Sequence, residues 1–230
     1  MGNFFKKLEK EYLKNNQTYR IVFNKGDELY SLKNNFSYRG NKENWKKYII
    51  EFIKSNSINL IFLFGDCRFY HKVAIEVASS LKVDVYVFEE GYIRPNFITL
   101  EKNGVNGFSS LINKNFNLES YSDSHNIFPN RKKNKNNFFK MALQSAIYYA
   151  ISNIFSFQYP YYEHHREFSA IKEFRIGILN SYRFIKNQFV EKKYLNEIRG
   201  KLSKKYYFVP LQTQNDFQVK IHSDFNNMEE

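Results

Sequence analysis

The chain has 230 residues, of which 43% are hydrophobic and 25% are charged, and its formal net charge is +12. This hydrophobic content supports the core of one large or two small domains and argues against a disordered chain. A single cysteine excludes an internal disulfide framework, and no apolar run approaches the roughly 18 residues of a membrane span. We therefore expect a cytoplasmic protein.

The first part of the chain alternates helical and extended patterns. Phe4, Phe5, Leu8 and Tyr12 recur at helical spacing and predict a helix over residues 3–15. A strand over residues 19–23 and a helix over residues 42–55 follow. Because a βα fold normally opens with a strand that feeds its first helix, we expect the first strand of the sheet to be missing.

Two short apolar runs, residues 58–64 and 83–88, are the strongest evidence for strands in this sequence. Both are β-branched and aromatic and bounded by glycine, which is typical of strands buried on both faces of a parallel sheet. Residues 70–81 between them have helical spacing, so the unit is βαβ. We expect both strands to share a sheet with residues 19–23, in which the missing first strand leaves an interior gap, because the first strand is central in doubly wound sheets. The predicted fold class is α/β, with a Rossmann-type parallel sheet and flanking helices.

Charged and polar groups follow these two strands where ligands bind in such sheets, beyond the carboxyl ends. They are Asp66, Arg68 and His71 after the first strand, and Glu89, Glu90, Tyr92 and Arg94 at the end of the second. Adjacent strand residues point to opposite faces, so only one of the two glutamates should face the crevice. A carboxylate there could attack an anomeric carbon or act as a general base.

Several of these residues have a second interpretation. Asp66 could cap the next helix instead of binding a ligand. Arg94 could form an internal ion pair instead of binding a substrate carboxylate or phosphate. We expect Cys67 to be a buried thiol at the end of the strand, and a nucleophilic role would need His71 as its base.

The rest of the chain is more helical. A loop over residues 103–135 ends in a basic run, and helices are predicted over residues 138–155 and 169–201. The first of these helices could pack on the protein or rest on a membrane surface. Residues 206–209 predict a further strand. His164, His165 and Arg166 form a polar patch that is only a weak metal signal, and we expect no metal.

An ordered set of motifs spans nearly the whole chain. It comprises Phe36-Ser37-Tyr38-Arg39-Gly40, Trp45, Gly65-Asp66-Cys67-Arg68 with His71, Phe88-Glu89-Glu90-Gly91-Tyr92-Ile93-Arg94-Pro95, Ile98-Thr99-Leu100-Glu101, Gly104-Val105-Asn106-Gly107, Tyr161-Tyr162 with His164-His165-Arg166, and Pro210-Leu211-Gln212. Together they resemble the capsular polysaccharide biosynthesis/export family of the KpsS type.

The resemblance implies a retaining glycosyltransferase that moves 3-deoxy-manno-octulosonic acid (Kdo) from CMP-Kdo to a lysophosphatidylglycerol-type lipid. It implies a GT-B-like pair of Rossmann-type domains, with Glu90 as the catalytic carboxylate, Glu89 as the alternative, and Gln212 and His222 near the donor. CMP-Kdo is a substrate, and no cofactor is implied. The implied partners are the phospholipid acceptor, the inner face of the inner membrane and other capsule proteins, not nucleic acid.

By the same resemblance, residues 1–135 form the acceptor-side domain, residues 136–203 a helical linking segment, and residues 204–230 the start of a truncated nucleotide-sugar domain. Most of the second domain is then missing, and we expect this fragment to be inactive. The alternative function is a non-catalytic module that binds polyanions, either nucleic acid or anionic lipid, for which the +12 charge and the 19% aromatic content would suffice.

Overall fold

A computed structural model describes residues 2–32, 35–92, 97–112, 138–163, 170–207, 209 and 217–225. The chain divides into two compact units, Met1–Tyr162 and Glu163–Glu230. The first unit is mixed α/β and the second is helical. Among the described residues, no helix combines the length and the apolar character needed to cross a bilayer.

The first unit contains short strands joined by helices. Its elements are α1 (Gly2–Tyr12), β1 (Arg20–Val22), α2 (Lys25–Glu28), β2 (Asn35–Ser37), α3 (Lys42–Ser55), β3 (Leu60–Phe64), α4 (Phe69–Ser80), β4 (Asp84–Glu90), β5 (Ile98–Lys102) and α5 (Phe138–Ile154). Capping side chains explain where two of these helices begin. Asn41 caps α3 by accepting a hydrogen bond from the Asn44 amide at 3.0 Å, and Asn24 caps α2 by accepting from the Asp27 amide at 2.9 Å.

The strands form two separate sheets. β1 and β2 pair in parallel, and β3, β4 and β5 form a three-stranded sheet in which β4 is central. β3 and β4 are parallel, with Phe64 opposite Phe88, whereas β4 and β5 are antiparallel, with Glu90 opposite Ile98. The predicted βαβ unit is confirmed as β3–α4–β4.

The core lies between the sheets and the helices α3 and α4. Trp45, Ile49 and Ile53 of α3 pack with Ala74 and Val77 of α4 in one apolar cluster. The Trp45 indole also donates a hydrogen bond to the Tyr70 carbonyl at 2.9 Å, which ties α3 to the start of α4. A second cluster joins Ala78 of α4 to β4 and to Val105 after β5. Helix α4 is therefore held on both sides, and the turn that precedes it is fixed.

The second unit consists of two described helices, α6 (Ala170–Arg199) and α7 (Phe217–His222). The sequence predicts residues 136–203 as one helical linking segment. In the structure, α5 belongs to the first unit and α6 to the second, so the boundary between the two units lies within that segment. The three-part domain division stays a prediction.

The strands predicted over residues 19–23 and 58–64 are expected in one sheet from which an interior strand is missing, and in the structure β1 makes no hydrogen-bonded ladder with β3. The strand predicted over residues 206–209 is also not formed at its described residues: Tyr206, Tyr207 and Val209 are exposed and have no strand pairing. An isolated strand without a neighbour has no ladder hydrogen bonds to stabilise it.

Candidate functional site

The turn between β3 and α4 is built around a buried carboxylate. Asp66 is 4% exposed, and its Oδ2 accepts a hydrogen bond from the Val105 amide at 2.8 Å. Its Oδ1 accepts from the Cys67 thiol at 3.2 Å. These contacts tie the end of β3 to the segment after β5, so Asp66 is a positioning residue. It does not cap α4, because the N-cap of that helix is Arg68. Its binding of a ligand stays a prediction.

Cys67 is held in its thiol form. Burial raises the pKa of Cys67 to about 12, and the nearby carboxylates of Asp66 and Glu89 act in the same direction. The thiol donates to Asp66, while the Nδ1 atom of His71 lies 2.9 Å from the Gly65 carbonyl oxygen. The geometry therefore favours the interpretation of Cys67 as a half-buried, protonated thiol over that of a nucleophile with His71 as its base.

His71 is a neutral imidazole of defined tautomer. Burial lowers its pKa to about 4, and the nearby Arg68 charge lowers it further. Since the carbonyl of Gly65 can only accept, Nδ1 carries the proton and Nε2 keeps its lone pair. The ring is thus able to accept a proton or a hydrogen bond through Nε2 while it buttresses Gly65, whose φ of +70° suits glycine.

The two adjacent glutamates at the end of β4 point to different faces of the sheet. Glu89 continues the face of Val85 and Val87, which pack in the cluster with α4. Its Oε2 atom lies 3.5 Å from the position that a Cβ on Gly65 would occupy, so its carboxylate spans the ends of β3 and β4. Its Oε1 atom accepts a hydrogen bond from the Glu90 amide at 2.9 Å.

Glu90 continues the opposite face, that of Phe88, whose ring lies 4.9 Å from the ring of Phe4 in α1. Glu90 is exposed, whereas Glu89 is half-buried. The expectation that the pair divides between two faces is confirmed. Glu89 is the one beside Gly65, Cys67 and the His71 turn, and Glu90 is the more accessible carboxylate.

Arg68 and Tyr92 border this edge of the sheet. Arg68 is exposed at the N-terminus of α4, and its charge acts on both His71 and Tyr162. Tyr92 is exposed, and its hydroxyl donates to the Asn106 side chain at 3.3 Å. An exposed guanidinium therefore follows the end of β3, and an exposed phenol follows the end of β4.

The remaining predicted site residues cannot be placed beside this cluster. Arg94, His164, His165, Arg166 and Gln212 lie outside the described residues. His222 is half-buried on α7 in the second unit. The basic residues 131–135 also lie outside the described ranges.

A polar cluster at the carboxyl end of β1 was missed by the sequence reasoning. Asn24 donates to the Tyr148 hydroxyl at 2.9 Å, Tyr148 donates to Asp27 at 3.1 Å, and Ser152 donates to Asn24 at 3.0 Å. These contacts bring together residues more than 120 positions apart. Only the polar residues inside the apolar pattern of α5, Tyr148 and Ser152, offered a signal for it.

Tyr162 belongs to the same edge. Its ring lies 6.4 Å from the ring of Phe23, the residue that follows β1. Burial and the Asp27 carboxylate raise the pKa of Tyr162 to about 12, while Asn24 and Arg68 oppose that rise. The hydroxyl therefore stays protonated at neutral pH and can donate a hydrogen bond.

The carboxyl ends of β1, β3 and β4 thus combine carboxylates, a neutral imidazole, a protonated phenol and one exposed guanidinium. Such groups can bind a hydroxylated, anionic substrate and supply a carboxylate to a reacting carbon. Within the described part of the chain, no three His, Cys, Asp or Glu side chains gather as a metal site would require.

Comparisons with known proteins identify the family of the chain. The family model described as capsule polysaccharide biosynthesis protein matches residues 59–230. The capsule polysaccharide export protein KpsS of Escherichia coli is 29% identical over 231 residues, which cover 99% of this chain and 59% of the relative. The capsule polysaccharide modification protein LipB of Neisseria meningitidis serogroup B is 31% identical over 235 residues, which cover 98% of this chain and 55% of the relative.

This chain therefore spans little more than half the length of these relatives. No solved structure matches it. The matched segment begins at β3 and includes the turn after β3 and both glutamates of β4. On the extent of that match, the chain belongs to the capsule polysaccharide biosynthesis protein family.

Proposed function

We propose that this chain carries the acceptor-side domain of a retaining GT-B-like glycosyltransferase of capsule biosynthesis. It would transfer Kdo from CMP-Kdo to a lysophosphatidylglycerol-type lipid at the inner face of the inner membrane. The observation that carries this proposal is the carboxylate pair at the end of β4, next to the rigid turn after β3. The family membership and the names of the relatives, which export or modify capsule polysaccharide, support it.

The proposed reaction is a double displacement. One glutamate oxygen attacks the anomeric carbon of Kdo, the bond from that carbon to the CMP phosphate breaks, and CMP leaves with the electron pair. The hydroxyl oxygen of the acceptor then attacks the same carbon, its proton passes to a base, and the carboxylate is released. Two inversions retain the configuration of the sugar.

We assign the attacking carboxylate to Glu90 because it is the more accessible of the two glutamates and because the resemblance implies that role for it. Glu89 then positions the strand end through its hydrogen bond to the Glu90 amide. His71 supports Gly65 through Nδ1, and its Nε2 lone pair makes it the candidate for receiving the acceptor proton.

The assay measures CMP release from CMP-Kdo in the presence of a lysophospholipid. It is run on this chain alone and on this chain joined to the part of the Escherichia coli relative outside the matched segment. We expect turnover only from the joined protein. There, Glu90→Gln should lower the rate by roughly a hundredfold or more.

Two matched variants accompany it. Glu76→Gln removes the same charge from an exposed position of α4 and should leave the rate unchanged. Glu89→Gln should lower the rate less than Glu90→Gln does, and the reverse order would reassign the attacking group to Glu89. Turnover that survives both active-site substitutions would refute the carboxylate mechanism.

A described surface of α6 supports the proposed membrane contact. Ile178, Tyr182, Ile185 and Phe189 recur at spacings of four, three and four residues, so they form one stripe, and Phe189 is 76% exposed. Arg175, Lys186 and Lys193 recur at spacings of eleven and seven residues and border that stripe on one side. An apolar stripe with a basic border is typical of helices that lie on anionic bilayers.

Vesicle sedimentation tests this contact. Each basic side chain near an anionic surface contributes about 1 kcal/mol, so replacing Lys186 and Lys193 by Gln should weaken binding to phosphatidylglycerol vesicles roughly thirtyfold. The matched control replaces Lys46 and Lys47, exposed cations of α3, by Gln. Equal binding to neutral and anionic vesicles would refute the proposal.

A further inference from the structure

An open cavity of about 490 Å³ lies at the carboxyl end of β2, between the turn after that strand and the first turns of α3. Its volume is within the range of pockets that hold small molecules. The lining consists of residues 37–40 and of Asn44, Lys47, Tyr48 and Glu51. The four α3 residues recur at spacings of three, one and three, so they form one face of the helix. None of the lining residues has a role in the proposed reaction.

Close packing fixes the turn that carries Arg39. Tyr38 is buried, and its hydroxyl donates to the Asn41 carbonyl at 2.5 Å. A Cβ on Gly40 would lie 2.7 Å from that hydroxyl oxygen, so a side chain at this position would displace it. Asn41 in turn caps α3. Arg39, between Tyr38 and Gly40, therefore extends from a backbone that is held on both sides.

The guanidinium of Arg39 lies over an aromatic ring and keeps its hydrogen-bond donors. Its central carbon is 5.5 Å from the centroid of the Tyr159 ring, which is buried. The Tyr159 hydroxyl donates to Glu28 and lies 2.8 Å from the Ser37 hydroxyl. Glu28 forms its ion pair with Lys25, at 2.5 Å. Within the described part of the chain Arg39 forms no ion pair, so its exposed guanidinium can pair with a ligand.

Helix α3 adds a second cation and an aromatic surface. Lys47 and Asn44 are exposed, and Tyr48 is half-buried. The ring of Tyr48 is stacked on that of Trp45, with 5.7 Å between the centroids and 26° between the planes. Glu51 is exposed at the far end of the same helix face, roughly 10 Å along the axis from Asn44. The α3 side of the cavity is therefore a fixed ring with polar side chains around it.

Three kinds of contact are combined in this cavity. Arg39 and Lys47 supply two positive charges, and a guanidinium can pair bidentately with a carboxylate or a phosphate. The electron-rich face of Tyr48 suits the C–H groups of a sugar ring. Asn44 and Glu51 supply an amide and a carboxylate that can hydrogen-bond hydroxyl groups.

We infer that this cavity binds a sugar ring that carries one anionic group, either a carboxylate or a phosphate. The anionic group pairs with Arg39 and Lys47, and the ring lies on Tyr48. A ligand with negative charge at both ends is disfavoured, because the Glu51 carboxylate would repel the second charge. The inference goes beyond the proposed function and does not depend on it, since binding at this cavity requires no turnover.

The experiment is an NMR titration of the full chain with four probes, followed at backbone amides and at the Arg39 Nε–H group. The probes are glucuronate, glucose 6-phosphate, neutral glucose and inorganic phosphate. We expect saturable shifts at Arg39, Gly40 and Asn44 with an anionic sugar, and at least about tenfold weaker binding of glucose and of phosphate. The tighter of the two anionic sugars identifies the anionic group that the cavity prefers.

Single substitutions assign the contacts. Arg39→Gln and Lys47→Gln should each raise the Kd of the anionic sugar at least about fivefold. The matched control, Lys46→Gln, changes an exposed cation of α3 that does not line the cavity and should leave the Kd unchanged. Because Tyr48 also packs on Trp45, its contact is tested without substitution, by nuclear Overhauser effects between the sugar protons and the Tyr48 ring in the native chain.

Several results would overturn the inference. Equal affinity for phosphate and for the anionic sugars would show that the ring contributes nothing. Shifts spread over the lysines of α6, or a Kd insensitive to Arg39→Gln, would show that binding reflects the net charge of the chain and not this cavity. No saturable shift with either anionic sugar would exclude the site. All of these readouts are independent of CMP release, so a failure here is distinguishable from a failure of the proposed reaction.

Discussion

The half-buried imidazole of His71 makes the stability of the first unit depend on pH in a way that one substitution can isolate. Its Nδ1–H group donates to the Gly65 carbonyl oxygen at 2.9 Å. An Asn side chain places an amide N–H near the position of Nδ1 but does not titrate. The substitution His71→Asn therefore keeps the donor to the turn after β3 and removes the proton-binding site.

The magnitude follows from the pKa of His71, which burial lowers from 6.5 to about 4. Between these values the unfolded chain binds a proton that the folded chain does not, so stability is complete above pH 6.5 and is lost as the pH falls toward 4. A difference of one pKa unit corresponds to 1.36 kcal/mol, so the full loss is about 3 kcal/mol. At about pH 5, one and a half units below the unfolded value, the loss is about 2 kcal/mol.

The assay is urea unfolding of the chain and of His71→Asn at about pH 7.5, 6 and 5, with equal slopes required before free energies are compared. Other titrating groups are shared by the two proteins and cancel in the difference. We expect the native chain to lose about 2 kcal/mol more than the variant between the extremes. Lys72→Gln, an exposed change on the same helix, should keep the native pH dependence. Equal pH dependence in the native chain and in His71→Asn would refute the reasoning.

Two further predictions concern the same edge of the sheet. A Cβ on Gly91 would lie 2.3 Å from the Phe97 carbonyl oxygen, so Gly91→Ala must displace the end of the β4–β5 hairpin. We therefore expect the variant to have a lower melting temperature in thermal denaturation. An unchanged melting temperature would contradict the close approach. Burial raises the pKa of Cys67 to about 12, so iodoacetamide at about pH 8 should modify the folded chain far more slowly than the urea-unfolded chain. Mass spectrometry follows the modification. Equal rates would show that the thiol is not protected.

Several elements could be predicted from the sequence because their signal is local. Helices α1, α3 and α4 each carry an apolar stripe at helical spacing, and β3 and β4 are short apolar runs bounded by turn residues. The alternation of side chains along a strand also predicted that Glu89 and Glu90 would point to opposite faces. These features depend only on the period of the backbone, which a single sequence displays.

Other features depended on contacts between distant residues. β5 was not predicted, because Ile98, Leu100 and Lys102 on its outer face are exposed, so the strand lacks a continuous apolar run and forms only by pairing with β4. The polar cluster of Asn24 and Tyr148 joins positions 124 residues apart.

By itself, the sequence determined where the local elements and the two carboxylates lie along the chain and, through its ordered motifs, the family to which it belongs. The tertiary structure decided that Glu89 rather than Glu90 lies beside Gly65, and that the side chain of Asp66 is used to hold Val105. The reason is physical: periodicity records which face of an element is buried, whereas hydrogen-bond partners and strand neighbours are chosen only when distant segments meet.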